Sequence, residues 1–192
     1  MDICVWQFPQ EISQSTFNGC NGINACSLIF LPVAYIFFRN GIKIPDLGPL
    51  PHDIFRMLWA CIELGNRGLP KRYLSVPEAA TMLSFANISV TEPLPVRLED
   101  DHVLSTACGQ QYNLKVDRTY FLDIISNGKT SLFMVTSPRI MYINTHGQGA
   151  YGAVIVKGST FNLRAFCNYF WEMETYHKST YRNLSTVVFF LA

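Results

Sequence analysis

The chain has 192 residues, 49% of them apolar and only 15% charged, with a formal net charge of +1. That composition excludes a disordered chain and provides a substantial apolar core. Near-zero charge leaves no basic footprint for nucleic acid.

The N-terminus, MDICVWQFPQ, lacks the basic and apolar regions of a secretory signal. Val5 to Phe8 reads as a short strand, and Gln10 to Gly22 as a polar, turn-rich segment. The longest apolar run, Ala25 to Phe38, contains Pro32 and ends at Arg39. It is shorter than the roughly 20 residues that span a bilayer, so it predicts a buried core helix and no membrane association. Pro32 costs that helix one backbone hydrogen bond and predicts a kink. Asn24 is the expected cap, with Cys26 in the first turn, where the helix dipole favours the thiolate.

Gly41, Pro45, Gly48 and Pro49 mark a loop. A second helix opens at His52 and ends near Gly65–Asn66, with Ile54, Leu58, Cys61 and Ile62 on one face. Ser75-Val-Pro-Glu78 predicts the capped start of a third helix, reaching about Phe85. Beyond Asn87 short branched and aromatic runs predict strands at 88–90, 96–98, 131–136, 140–144 and 152–156. The turn Ser137-Pro-Arg139 makes 131–136 and 140–144 an antiparallel hairpin. Asp117 to Ile125 reads as a short helix, Ser159 as the cap of a last helix over about 160–175, and 184–191 as a final strand. Helices first and an antiparallel sheet second is an α+β class. No linker divides the chain, which predicts a single catalytic domain over 1–192, with a helical part at about 24–86 and a sheet part at about 87–192.

The six cysteines have neither CxxC nor Cys/His ligand spacing, so no metal site or disulfide framework is expected. Most read as small buried apolar side chains in a reducing, cytoplasmic setting. Cys26 stands apart because it lies where a Gly-Ile-Asn turn meets a helix. His146 follows one strand and precedes another, next to Gly147 and Gly149, and is expected to face outward at the strand end. Asn144, two residues earlier on the strand, shares its side and can orient the imidazole. Gln14 carries an amide that can donate to an oxyanion beside the Cys26 backbone N–H. His52, His102 and His177 read as solvated. Each of the four also has an ordinary structural explanation: a buried inert cysteine, a surface histidine, a polar strand end and a loop glutamine.

The order Gln, then Cys at a helix start, then Asn-x-His between strands is that of papain-like thiol hydrolases. Ile-Ser-Gln14-Ser-Thr and Gly-Ile-Asn-Ala-Cys26-Ser, with Asn144-Thr-His-Gly-Gln-Gly-Ala-Tyr-Gly-Ala153 downstream, resemble the deubiquitinase domain of herpesvirus large tegument proteins and the tegument-like deubiquitinases. Asn144 stands where that family usually has Asp. The resemblance implies a papain-like cysteine protease fold and hydrolysis after the C-terminal glycines of ubiquitin through a thioester. Cys26 would be the nucleophile, His146 the base, Asn144 its orienter and Gln14 the oxyanion donor. Ubiquitin or a ubiquitin-like protein is the implied partner, and no cofactor is implied. Gly147 and Gly149 suit a narrow tail channel, while Glu11, Glu99, Asp100, Asp101 and Asp123 are the acids available to a tail arginine. Another papain-like protease or amidase, an inactive ubiquitin- or protein-binding domain, and an interaction domain with a merely buried Cys26 are the alternatives.

Overall fold

The computed structural model describes residues 3–68, 72–85, 88–90, 94–97, 119–126, 129–136, 138–147, 149–176 and 183–191. Four α-helices lie among them: α1 (Cys26–Asn40), α2 (His52–Arg67), α3 (Val76–Met82) and α4 (Leu163–Tyr176). The strands are β1 (Cys4–Gln7), β2 (Ile88–Val90), β3 (Leu94–Arg97), β4 (Tyr120–Ser126), β5 (Lys129–Thr136), β6 (Arg139–Asn144), β7 (Val154–Ser159) and β8 (Asn183–Leu191). They form one antiparallel sheet in the order β1-β7-β6-β5-β4-β8-β2, with β3 also on β8. The class is α+β.

Helix α1 is the central element. Every residue from Cys26 to Ala34 is buried, as expected of a helix that is apolar all round. Phe121, Leu132, Met134, Ile143 and Ile155 of the sheet share its core cluster, together with Ile54, Leu58 and Ile62 of α2. At Gly65 an added Cβ would run into the Ile29 side chain, so a bare backbone there lets α2 approach α1 closely. Gly41 closes α1 in the left-handed conformation at φ 56°, the usual glycine stop. Helix α4 covers the opposite sheet face, where Phe170 meets Phe133 and Tyr142 edge-on at 5.1 and 5.0 Å.

The hairpin of β5 and β6 and the second helix form as the sequence predicts. Ser75 caps α3 in a full capping box with Glu78. The segment Asp117–Ile125 departs from expectation. Its residues 120–125 belong to strand β4, which pairs with β5 on one side and β8 on the other. A short apolar run with β-branched and aromatic residues fits either helix or central strand, and pairing on both edges decides it. Helix α1 starts one residue later than expected, with Ala25 at the N-cap in place of Asn24. The helix continues through Pro32 to Asn40. Helix α3 stops at Met82, ahead of Ser84 at φ 57°. Strand β7 starts at Val154 because Gly152 and Ala153 bond to the 8–12 loop instead. Strand β1 pairs with β7, so the sheet also draws on the N-terminus. Among the described residues no helix is long and apolar enough to cross a membrane.

Candidate active site

Three segments meet at the N-terminus of α1: the loop after β1, the start of α1, and the chain leaving β6. The β1 loop is stitched to the β6–β7 connection by backbone bonds. Phe8 N–H donates to Ala153 C=O (2.9 Å), Ala153 N–H to Ile12 C=O (2.6 Å) and Gln14 N–H to Thr145 C=O (2.8 Å). Gly152 makes this possible, because an added Cβ would strike the carbonyls of Pro9 and Ile12. Gly22 N–H donates to Gln14 C=O (2.8 Å) and Ala25 N–H to Gly22 C=O (2.8 Å), which carries the same segment into α1. From behind, Asn66 of α2 donates its Nδ2 to Gln14 C=O at 3.3 Å.

This framework brings all four sequence-predicted residues together. Cys26 occupies the first position of α1, and its Sγ lies 3.5 Å from His146 Nε2. The other ring nitrogen, Nδ1, is 3.0 Å from Asn144 Oδ1, which also accepts the His146 backbone N–H at 2.9 Å. Gln14 Nε2 donates to Gly22 C=O (3.0 Å), and lies 3.2 Å from Cys26 Sγ and 3.1 Å from His146 Nε2.

The expectation that His146 faces outward is corrected. It is 2% exposed, and Cys26 is 1% exposed, because Gln14 and the start of α1 pack over the strand end. Burial, then repulsion from Lys129, pulls the imidazole pKa down to about 3. Lys129 is the first residue of β5, the strand that pairs with β6. The ring is therefore neutral at physiological pH. Since Asn144 Oδ1 is an acceptor, Nδ1 carries the proton and the Nε2 lone pair faces the thiol. A thiol, a neutral imidazole with its lone pair aimed at it, and an amide that orients the ring are the parts nucleophilic acyl transfer uses. An amide N–H beside the sulfur adds a donor for developing negative charge.

Two further residues complete the cluster. Tyr142 is fully buried, and its Oη accepts Asn144 Nδ2 at 2.8 Å. Thr145, also fully buried, donates its hydroxyl to Gln14 Oε1 at 2.6 Å. Strand alternation does mark Tyr142 as sharing a side with Asn144. For Thr145 the same alternation is misleading, because the chain has left β6 at Asn144.

Of the other described cysteines, Cys4 and Cys20 are only half-buried, which departs from the expectation of burial. Cys61 and Cys167 are buried, and burial pushes the Cys61 thiol up to about 12, which makes it inert. Cys108, His102, His177, Glu99, Asp100 and Asp101 lie outside the described residues. His52 is exposed. No group of His, Cys, Asp or Glu among the described residues is placed to hold a metal ion.

No protein-family model matches the sequence, and no curated protein matches it. Among solved structures, the chain is similar to the ubiquitin-specific protease encoded by murine cytomegalovirus tegument protein M48, solved in complex with a ubiquitin-based suicide substrate. That likeness has a TM-score of 0.62 over 98% of this chain and 87% of the other, at 11% identity. The Pseudomonas avirulence protein AvrPphB also aligns, with a TM-score of 0.41 over 84% of this chain and 69% of that one, at 7% identity. The likeness is one of fold, an α+β fold that the chain shares with that ubiquitin-specific protease.

Proposed function

We propose that the chain is a cysteine-dependent deubiquitinase, residues 1–192 forming one catalytic unit. It would hydrolyse the peptide or isopeptide bond that follows the C-terminal glycine of ubiquitin. The observation that carries this reading is the convergence of Gln14 Nε2, Cys26 Sγ and His146 Nε2 within 3.5 Å of one another, on three separate segments. A buried structural cysteine needs neither an oriented imidazole nor a converging amide donor.

In this reading Cys26 Sγ attacks the carbonyl carbon of the terminal glycine, and its proton passes to His146 Nε2. Asn144 holds the ring so that the imidazolium is met by Oδ1 on its far side. The negative oxygen of the tetrahedral adduct is met by Gln14 Nε2 and by the Cys26 backbone N–H at the start of α1. As the adduct collapses, the C–N bond breaks and His146 returns its proton to the departing amine. Water then attacks the thioester carbonyl, giving its proton to the same ring, and the thiol is released with a free carboxylate.

The surroundings of Cys26 support a slender, extended substrate tail. Tyr73 and Tyr151 are about half exposed. Burial and the nearby Cys26 both push the Tyr73 phenol pKa up, and Tyr151 C=O lies within 3.8 Å of where a Cβ on Gly147 would stand. In this reading Tyr73, half-exposed near Cys26, offers one aromatic face to a slender Gly-Gly tail. Among the acids available to a tail arginine, Glu11 is exposed on the same segment as Gln14. The resemblance of the Gln14, Cys26 and Asn144–Ala153 motifs to tegument deubiquitinases favours ubiquitin, as does the likeness to a protease that carries a ubiquitin-based suicide substrate. A reducing cytoplasmic setting accords with the reading, since the thiol must stay free.

The test is hydrolysis of ubiquitin bearing a fluorogenic amide at its C-terminus, run beside ubiquitin-like proteins with the same group and a short Arg-Gly-Gly peptide. Preferred turnover of the ubiquitin substrate, abolished by Cys26→Ala, is expected. Preference for a ubiquitin-like protein or the bare peptide would reassign the substrate, and no turnover of any by folded protein would defeat the hydrolase reading.

A further inference from the structure

We infer that Thr145 is a positioning residue for the oxyanion donor: its hydroxyl sets the placement of the Gln14 side-chain amide. The inference deepens the hydrolase reading and rests on it for its catalytic consequence.

Gln14 is fully buried, so both ends of its amide need partners. One end is settled by Gly22 C=O, which can only accept, so the atom 3.0 Å away must be Nε2. The other end, Oε1, then faces Thr145 Oγ1 at 2.6 Å, and the hydroxyl must donate. The second N–H of the amide is what remains to face Cys26 Sγ and His146 Nε2. Gly22 C=O and the Thr145 hydroxyl thus hold the amide from opposite ends, and the direction of the free N–H follows from both. Gly22 contributes a main-chain atom. Among the described residues Thr145 contributes the one side-chain contact at Oε1, and it is the part that mutation can remove.

Thr145 also accepts the Gln14 backbone N–H through its own carbonyl at 2.8 Å. The main chain of Gln14 is therefore fixed independently of the hydroxyl. Removing the hydroxyl leaves the loop tethered but strands Oε1 in a buried site without a donor. An unsatisfied buried carbonyl oxygen is costly, and the cheapest relief is rotation of the Gln14 side chain toward another donor or toward water. Either rotation takes Nε2 off the line to the reacting carbonyl. Thr145 lies between Asn144 and His146, so one tripeptide would serve both the base, through Asn144, and the oxyanion donor, through Thr145.

The experiment compares wild type with Thr145→Val, Thr145→Ala and Thr145→Ser. Valine keeps the shape, alanine guards against a folding defect caused by valine, and serine restores the hydroxyl. Turnover of the fluorogenic ubiquitin substrate is expected to show kcat lowered about 10- to 100-fold in the valine and alanine variants. That is a fraction of the 10²–10³ that loss of a whole oxyanion donor costs. KM should move less than about twofold, and serine should recover most of kcat. On a Gln14→Ala background Thr145→Val should cost nothing further, because the residue acts through Gln14. A second readout needs no turnover: the Gln14 side-chain NH₂ signals in ¹⁵N-labelled protein, identified by their loss in Gln14→Ala. They should shift or broaden in the valine and alanine variants and return to place with serine. Unmoved Gln14 signals in folded Thr145→Val or Thr145→Ala overturn the inference. So does a kcat loss that serine fails to rescue, or one that adds fully to that of Gln14→Ala. If wild type turns over no ubiquitin substrate, the deubiquitinase reading has failed, and the NMR signals alone decide whether Thr145 places the amide.

Discussion

Asn144 Oδ1 receives two hydrogen bonds from His146, one from ring Nδ1 at 3.0 Å and one from the backbone N–H at 2.9 Å. A backbone N–H can only donate, so it fixes which end of the Asn144 amide faces the ring. The remaining end, Nδ2, donates to the buried Tyr142 Oη. An amide thus performs the orienting task without a charge, and the ring keeps its lone pair toward Cys26.

The first prediction concerns that amide. Asn144→Ala should lower kcat about 10- to 100-fold, part of the 10²–10⁴ a well-placed acid–base group contributes. Asn144→Asp should preserve or raise turnover. A carboxylate beside the ring stabilises imidazolium, so it should also lift the His146 pKa from about 3 toward neutrality. The acidic limb of kcat/KM against pH should move upward with it. Full activity in Asn144→Ala would remove Asn144 from the mechanism.

Gln14→Ala should separate bond-making at sulfur from oxyanion stabilisation. Loss of the donor is expected to reduce kcat about 10²–10³-fold. Alkylation of Cys26 by a small haloacetamide passes through no oxyanion, and Gln14 covers the sulfur at 3.2 Å. Its rate should be unchanged or higher, as read by intact mass against time. A parallel fall in both rates would mean that the variant disturbs Cys26 itself.

Much of this site is legible in the sequence because chemistry and local periodicity coincide there. Cys26 lies at a polar-to-apolar junction that starts a helix, and the close spacing of Asn144 and His146 at the end of β6 leaves them within reach of each other. What was not legible depends on long-range pairing. The segment over 120–126 is a strand because β5 and β8 flank it, and nothing local says so. The burial of His146 comes from Gln14, 132 residues away along the chain, packing across the strand end. Thr145 is hidden because the chain leaves β6 one residue before it, which cancels the alternation rule. The Ala25 cap shows a smaller limit: the turn that precedes α1 is closed by backbone bonds of Gly22, so Asn24 is not required as its cap.

A third prediction follows from the neutral, buried ring. Between about pH 6.5 and 3 the unfolded chain binds a proton at His146 that the folded chain refuses. Unfolding is then favoured as pH falls through that window, by up to about 1.4 kcal/mol per pH unit. Denaturant titrations from pH 7 to 4 should show a steeper loss of stability in wild type than in His146→Gln. Parallel curves would contradict the burial of a neutral ring.

Gly152 offers a test of the scaffold. An added Cβ would meet the carbonyls of Pro9 and Ile12, which are backbone and cannot rotate away. Gly152→Ala should cost about 1–3 kcal/mol, the usual range for forced overpacking. It should also lower kcat, since the same loop carries Gln14. Thermal unfolding and turnover measured together check this. An unchanged Tm would show that the two segments are not pressed together.

The most direct test of the central claim uses ubiquitin whose C-terminal carboxylate is replaced by a thiol-reactive electrophile. An adduct of one ubiquitin per chain is expected, mapped by peptide mass to Cys26 and absent in Cys26→Ala. Strong slowing is expected in His146→Ala. A folded wild-type protein that forms no adduct, or one attached at Cys4, Cys20 or Cys61 instead, would contradict that claim.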